Sequence, residues 1–135
     1  MTSEVIYTGN LRTRCRHIKS GSEYITDAPT DNNGRGEAFS PTDTVATALA
    51  NCMLTIMGIK ARDLDVELTG ATAIVTKTMA DNPRRISKIK VDMNFPVQVD
   101  ETTRKILENA AKNCPVCRSL HPDIEKDITF NWRSP

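Results

Sequence analysis

Aromatic side chains are scarce in this chain of 135 residues: one Trp, two Tyr and three Phe. Charge of one sign is equally lacking, since 18 Lys and Arg against 17 Asp and Glu leave a formal net charge of +1. Together these exclude the basic stripe and the base-stacking platform that a nucleic-acid partner needs. Histidine is rare too, and His17 and His121 stand far apart. With only one Cys-x-x-Cys, a four-ligand zinc site is not expected, and the sequence calls for no cofactor. Met1 to Tyr7 has neither a basic start nor an apolar run, so no secretory signal is expected. The longest uncharged stretch, Thr44 to Ile59, is interrupted by Thr47, Asn51, Thr55 and Gly58. It falls short of the roughly 20 apolar residues of a membrane span and reads as a core helix.

The four cysteines are therefore the informative residues. In a reducing cytoplasm, the expected compartment, they mean catalysis, metal or inert burial more often than a disulfide framework. One domain of ordinary size is the expectation from length. Val5 to Tyr7, Leu11 to His17 and Tyr24 to Thr26 are predicted strands, joined by turns at Asn10 and Ser20-Gly21. Asp27 to Phe39, rich in Asp, Asn, Gly and Pro, is predicted to be an exposed loop. Ser40-Pro41-Thr42-Asp43 combines an N-cap serine, a proline at the first helical position and an acid at the capping-box position, so a helix is predicted from there to about Arg62. Its apolar residues cover more than one stripe, as in a helix enclosed by other elements. Alternation over Asp65 to Met79 and Ile86 to Val97, with Asp81-Asn82-Pro83 between, predicts a long hairpin. A second helix over Asp100 to Asn113 is ended by Pro115, and Ile124 to Trp132 is the last predicted strand.

Cys52 lies inside the first helix. It reads either as a small core hydrophobe or as a reactive thiol. Cys114 is expected to cap the short helix begun by Pro115, where backbone N–H groups and the helix dipole would favour its thiolate. The Cys114-Pro115-Val116-Cys117 motif does not suit a thioredoxin fold, which would place it after the first strand of a parallel sheet.

Phe39-Ser40-Pro41-Thr42-Asp43 followed by Ala48-Leu49-Ala50-Asn51-Cys52, and then Cys114-Pro115-Val116, resembles the osmotically inducible protein C and organic hydroperoxide resistance family, OsmC/Ohr. The likeness in element order covers nearly the whole chain. The resemblance implies an α+β fold of antiparallel sheets with two long central helices, in which two chains intertwine as a homodimer with those helices back to back and the active sites at the interface. It implies a thiol peroxidase: Cys52 attacks the peroxide and becomes a sulfenic acid, Cys114 condenses with it to a disulfide, and an external dithiol restores both. The substrates implied are small organic hydroperoxides.

A helix-interior thiol has no helix N-terminus to help it ionise, so Cys52 needs a cation. The resemblance points to Arg12, with Arg14 on the same strand face as the backup; the plain alternative for Arg12 is a solvated strand charge. The position of the Ohr glutamate that holds the arginine is occupied by Thr42. Asp43, one residue on, either takes over that task or only caps the helix. Cys117 is an alternative resolving thiol or a spare, and Cys15 has no counterpart in the family. Two other readings stay open: a disulfide oxidoreductase working through Cys114 and Cys117, and a non-catalytic dimer whose apolar cleft binds a lipid-like ligand. The loop Asp31-Asn32-Asn33-Gly34-Arg35-Gly36 could cradle an anion on its backbone N–H groups, but reads first as plain surface.

Overall fold

A computed structural model describes residues 1–134. It contains six strands and three α-helices: β1 (Ser3–Gly9), β2 (Arg12–His17), β3 (Glu23–Asp27), α1 (Pro41–Asp63), β4 (Thr72–Ala80), β5 (Arg85–Phe95), α2 (Glu101–Lys112), α3 (Pro115–Ser119) and β6 (Glu125–Trp132). They form two compact units, Met1–Val45 and Ala46 onward.

In the first unit, β1, β2 and β3 make an antiparallel meander. Register places Arg12 opposite Asp27, and Cys15 between Val5 and Tyr24. After β3 the chain turns back on itself: Gly34 N–H donates to the Pro29 carbonyl and Gly36 N–H to that of Ala28. Gly34 has to be glycine, since a Cβ there would lie 1.7 Å from the Ala28 carbonyl oxygen. The predicted loop is thus tied down by its own backbone.

α1 starts as its sequence predicts. Ser40 Oγ accepts from Asp43 N–H at 3.0 Å, and Asp43 Oδ2 accepts from Ser40 N–H at 3.0 Å, which is a reciprocal capping box. Its end is set by a Schellman motif: Val66 N–H donates to the Ala61 carbonyl, Asp65 N–H to that of Arg62, and Asp65 takes the left-handed conformation at φ 59°.

The second unit holds the hydrophobic core. Ala46, Leu49, Ala50, Met53, Met57 and Ala61 recur along one face of α1 and are buried with Ile89, Val91, Met93 and Phe95, the alternate residues of β5. Leu107 and Ala111 of α2 and the Cys114 thiol complete it. By hydropathy and length alone α1 would pass for a membrane span, and a third of its apolar window is buried in this core. β6 adds Ile128, Phe130 and Trp132, with the Phe95 and Trp132 rings stacked at 4.2 Å and Trp132 Nε1 donating to Glu108 Oε2 at 2.9 Å.

Two expectations are corrected. The second sheet is mixed rather than antiparallel: β4 and β5 form the expected hairpin, but β6 runs parallel to β5. A parallel neighbour requires a crossover, and the helices α2 and α3 between β5 and β6 provide it. The strand predicted from Asp65 begins only at Thr72. Residues 65–71 turn instead, because Thr69 N–H and Oγ1 both bond Glu67 Oε1 and Gly70 sits at φ 94°. Val66 and Leu68 still pack on the core from this loop, which is why their pattern imitates a strand.

Candidate active site

Cys52 and Cys114 meet in the second unit. Cys52 is half-buried, beside the buried stripe of α1, and packs against the core cluster to which Cys114 belongs. Cys114 closes the α2 end and is fully buried, at 0 % exposure. The nearness of Cys52 is one of the influences that push the Cys114 thiol up.

The cap expected at Cys114 is present, with its backbone extended at φ −67°, ψ 153° and Sγ accepting from Cys117 N–H at 3.4 Å. The consequence expected for its acidity is reversed. Burial, first of all, pushes the Cys114 thiol up; the Cys117 N–H opposes this, and the Cys52 and Cys117 thiols add to the rise. One cap on a five-residue helix does not offset removal from water. Cys114 is therefore held as a thiol, slow to react with an oxidant on its own account. All four cysteines are free.

Arg12 lies in the first unit and is a held side chain. Its Nε and Nη2 donate to the two carboxylate oxygens of Asp27 at 2.6 and 2.8 Å, using two of the guanidinium's five N–H donors. Asp27 Oδ2 also accepts from Glu37 N–H at 3.1 Å, while the Glu37 carboxylate stands 3.6 Å from Arg12 Nη2. That N–H belongs to Glu37, just past the Asp31–Gly36 loop, and the anion it meets is the chain's own Asp27. Asp43 is the helix cap, and Thr42 Oγ1 lies 3.2 Å from Ser40 Oγ.

Asp27 is the residue that sequence reading missed. The signal lies in the register: the hairpin centres between Lys19 and Ser20, one residue before the predicted turn, and that shift puts position 27 directly opposite position 12. Arg14, on the same face of β2, has Ile6 and Ile25 as cross-strand neighbours. Cys15 points the other way, where Tyr24 is its neighbour and the Tyr24 hydroxyl is pushed up by burial and by Cys15. Strand alternation thus takes Cys15 away from Arg14 and Arg16, and it behaves as a buried strand thiol.

The Asp27 carboxyl is held below the usual carboxylate range, chiefly by its hydrogen bond from Arg12, with burial opposing. A group with a depressed folded-state pKa stabilises the fold above its unfolded value, about 3.9, and loses that contribution as pH falls through the folded value. Asp27→Asn is therefore expected to lower the urea midpoint at pH 7, with the gap to wild type narrowing only below about pH 4. A gap independent of pH would show that charge is not what Asp27 contributes.

The family profile described as OsmC-like protein matches residues 34–129. A Psychrobacter arcticus 273-4 crystal structure, described as a candidate osmotic stress induced and detoxification response protein, is 53 % identical. It covers 97 % of this chain and 96 % of its own, with a TM-score of 0.95. The chain belongs to the OsmC-like family. Two more distant members of this fold are an organic hydroperoxide resistance protein OsmC from Legionella pneumophila and a candidate organic hydroperoxide resistance protein from Vibrio cholerae with captopril bound in one active site. The Legionella protein is 12 % identical (TM-score 0.75; 97 % of each chain), and the Vibrio protein 17 % identical (TM-score 0.74; 97 % of this chain and 92 % of that one). At such identities the likeness extends to the OsmC fold alone. Among curated proteins none matches the chain.

Proposed function

We propose that this OsmC-like protein is a thiol peroxidase for small organic hydroperoxides, working as a homodimer in a reducing compartment. The observation that carries the reading is the placing of two free thiols at one part of the core, Cys52 half-open to solvent and packed against the cluster in which Cys114 is wholly buried. The Cys52 thiolate attacks the O–O bond, the alkoxide leaves and is protonated to the alcohol, and Cys52 becomes a sulfenic acid. Cys114 then attacks that sulfur; its proton and the sulfenic hydroxyl leave as water, and a disulfide remains. An external dithiol reduces the disulfide by exchange and is itself oxidised.

In this reading Arg12 is the cation that favours the Cys52 thiolate, and Asp27 positions it. The exposed Val45 and Ile59 of α1, and Val5, Tyr7 and Tyr24 of the first sheet, support a second copy of the chain as the dimer partner. A disulfide oxidoreductase built on Cys114 and Cys117 suits the geometry less well. In that chemistry the first cysteine of the motif is the attacking thiolate, and burial holds Cys114 protonated.

The test is steady-state reduction of cumene hydroperoxide with excess dihydrolipoamide, using the dimer fraction from a sizing column. Peroxide-dependent oxidation of the dithiol is expected. Absence of turnover, with Cys52 and Cys114 shown to be free thiols, overturns the proposal.

A further inference from the structure

The peroxidase reading uses two thiols and leaves a third beside them. Cys117 sits one turn beyond Cys114 on α3, is half-buried where Cys114 is fully buried, and gives its backbone N–H to the Cys114 sulfur at 3.4 Å. Cys52 and Cys117 both pack against the buried cluster that contains Cys114, so all three thiols belong to one region of the core.

This arrangement bears on how the oxidised site is reduced. An attacking thiolate has to reach one sulfur of a disulfide, and access limits the rate. In a Cys52–Cys114 disulfide an external dithiol is left only the half-open Cys52 sulfur to attack, because the Cys114 sulfur is buried in the core. Cys117 is already beside it. The two residues are an N-cap and the third residue of the helix it caps, a spacing compatible with disulfide geometry, for which Cα separations run from about 4.4 to 6.8 Å.

We propose that Cys117 is a third redox residue, a relay that takes the disulfide from the buried pair and presents it to the reductant. The inference rests on the peroxidase reading. The Cys117 thiolate attacks Sγ of Cys114, the Cys114–Cys117 bond forms, the Cys52–Cys114 bond breaks, and the electron pair leaves on Cys52. Nothing is oxidised or reduced overall; the proton lost by Cys117 balances the one that Cys52 can take up. Cys52 is then free for a second peroxide, while the disulfide sits on the half-open turn of α3.

The test uses the full-length wild type and Cys117→Ser, reduced and then given one equivalent of cumene hydroperoxide. Samples are quenched with acid at successive times, alkylated, and their disulfides mapped by mass spectrometry. In wild type, Cys52–Cys114 is expected first and Cys114–Cys117 later. In Cys117→Ser, oxidation runs at the wild-type rate but stops at Cys52–Cys114, and the reduction of that species by dihydrolipoamide slows by about tenfold. Equal reduction rates in the two proteins, with no Cys114–Cys117 disulfide in wild type, overturn the relay while leaving the peroxidase intact. Wild type that forms no disulfide through Cys52 overturns the peroxidase reading, and the relay with it.

Discussion

Cys52→Ser is expected to abolish hydroperoxide turnover, lowering kcat/KM for cumene hydroperoxide by at least about a thousandfold, the scale of losing a nucleophile outright. A serine hydroxyl at that place on α1 keeps the volume and loses the chemistry: it is neither ionised at neutral pH nor able to form a sulfenic acid. Cys114→Ser is expected to behave differently. The first peroxide equivalent still reacts at Cys52, but Cys114 is not there to condense with the product, so a sulfenic acid persists and is trapped by dimedone at Cys52. Stopped-flow measurement of the first turnover, set beside the steady-state rate, separates the two variants. Equal activity of wild type and Cys52→Ser would remove Cys52 from the chemistry. Loss of the first turnover in Cys114→Ser would mean that the buried thiol is the one that meets peroxide, against the acidity its burial imposes.

The second large effect is on stability. Leu107 is fully buried in the core of the second unit, while its neighbour Ile106 is 36 % exposed. Leu107→Ala deletes buried carbons and leaves a cavity between α2 and the layer formed by α1 and β5, at an expected cost of about 3 kcal/mol. For a domain of this size that corresponds to a fall in Tm of about 10 °C. Ile106→Ala, with much of its side chain already in water, is expected to cost under about 1 kcal/mol. Thermal unfolding followed by circular dichroism reads both. On the proposed mechanism the same substitution bears on function, because α2 leads into Cys114: a looser α2 places that thiol less well against Cys52. The dimedone-trappable fraction of oxidised Leu107→Ala is therefore expected to exceed that of wild type, even well below its Tm. Similar Tm values for the two alanine variants would mean that Leu107 is not the core residue its burial indicates.

How far this molecule was legible beforehand depended on how local each signal was. The capping box at Ser40 and Asp43, the proline that ends α2 and the apolar register of α1 are written within a few residues of one another, and the fold follows them. The pairing of Cys52 with Cys114 was readable as family resemblance; neither helix pattern alone assigns it. What escaped was non-local or set by context. Asp27 is half of an ion pair whose other half lies across a hairpin, so only register reveals it. The direction of β6 depends on a crossover that periodicity does not encode. Val66 and Leu68 alternate like a strand because they are buried from a loop. At Cys114 the cap was foreseen and the depth of burial was not, and burial decides its acidity.

The crossover that brings β6 alongside β5 has a consequence for biosynthesis. Cys52 leaves the ribosome long before Cys114, and α2 can seat Cys114 against α1 only once β5 is in place to complete the core. Long-range closure of this kind is the slow part of folding. The two thiols are thus brought together only in the finished domain, so an oxidant reaching the growing polypeptide meets Cys52 without Cys114. Overoxidation at that stage, to the sulfinic state that a dithiol does not reverse, would mark a chain caught before it had closed.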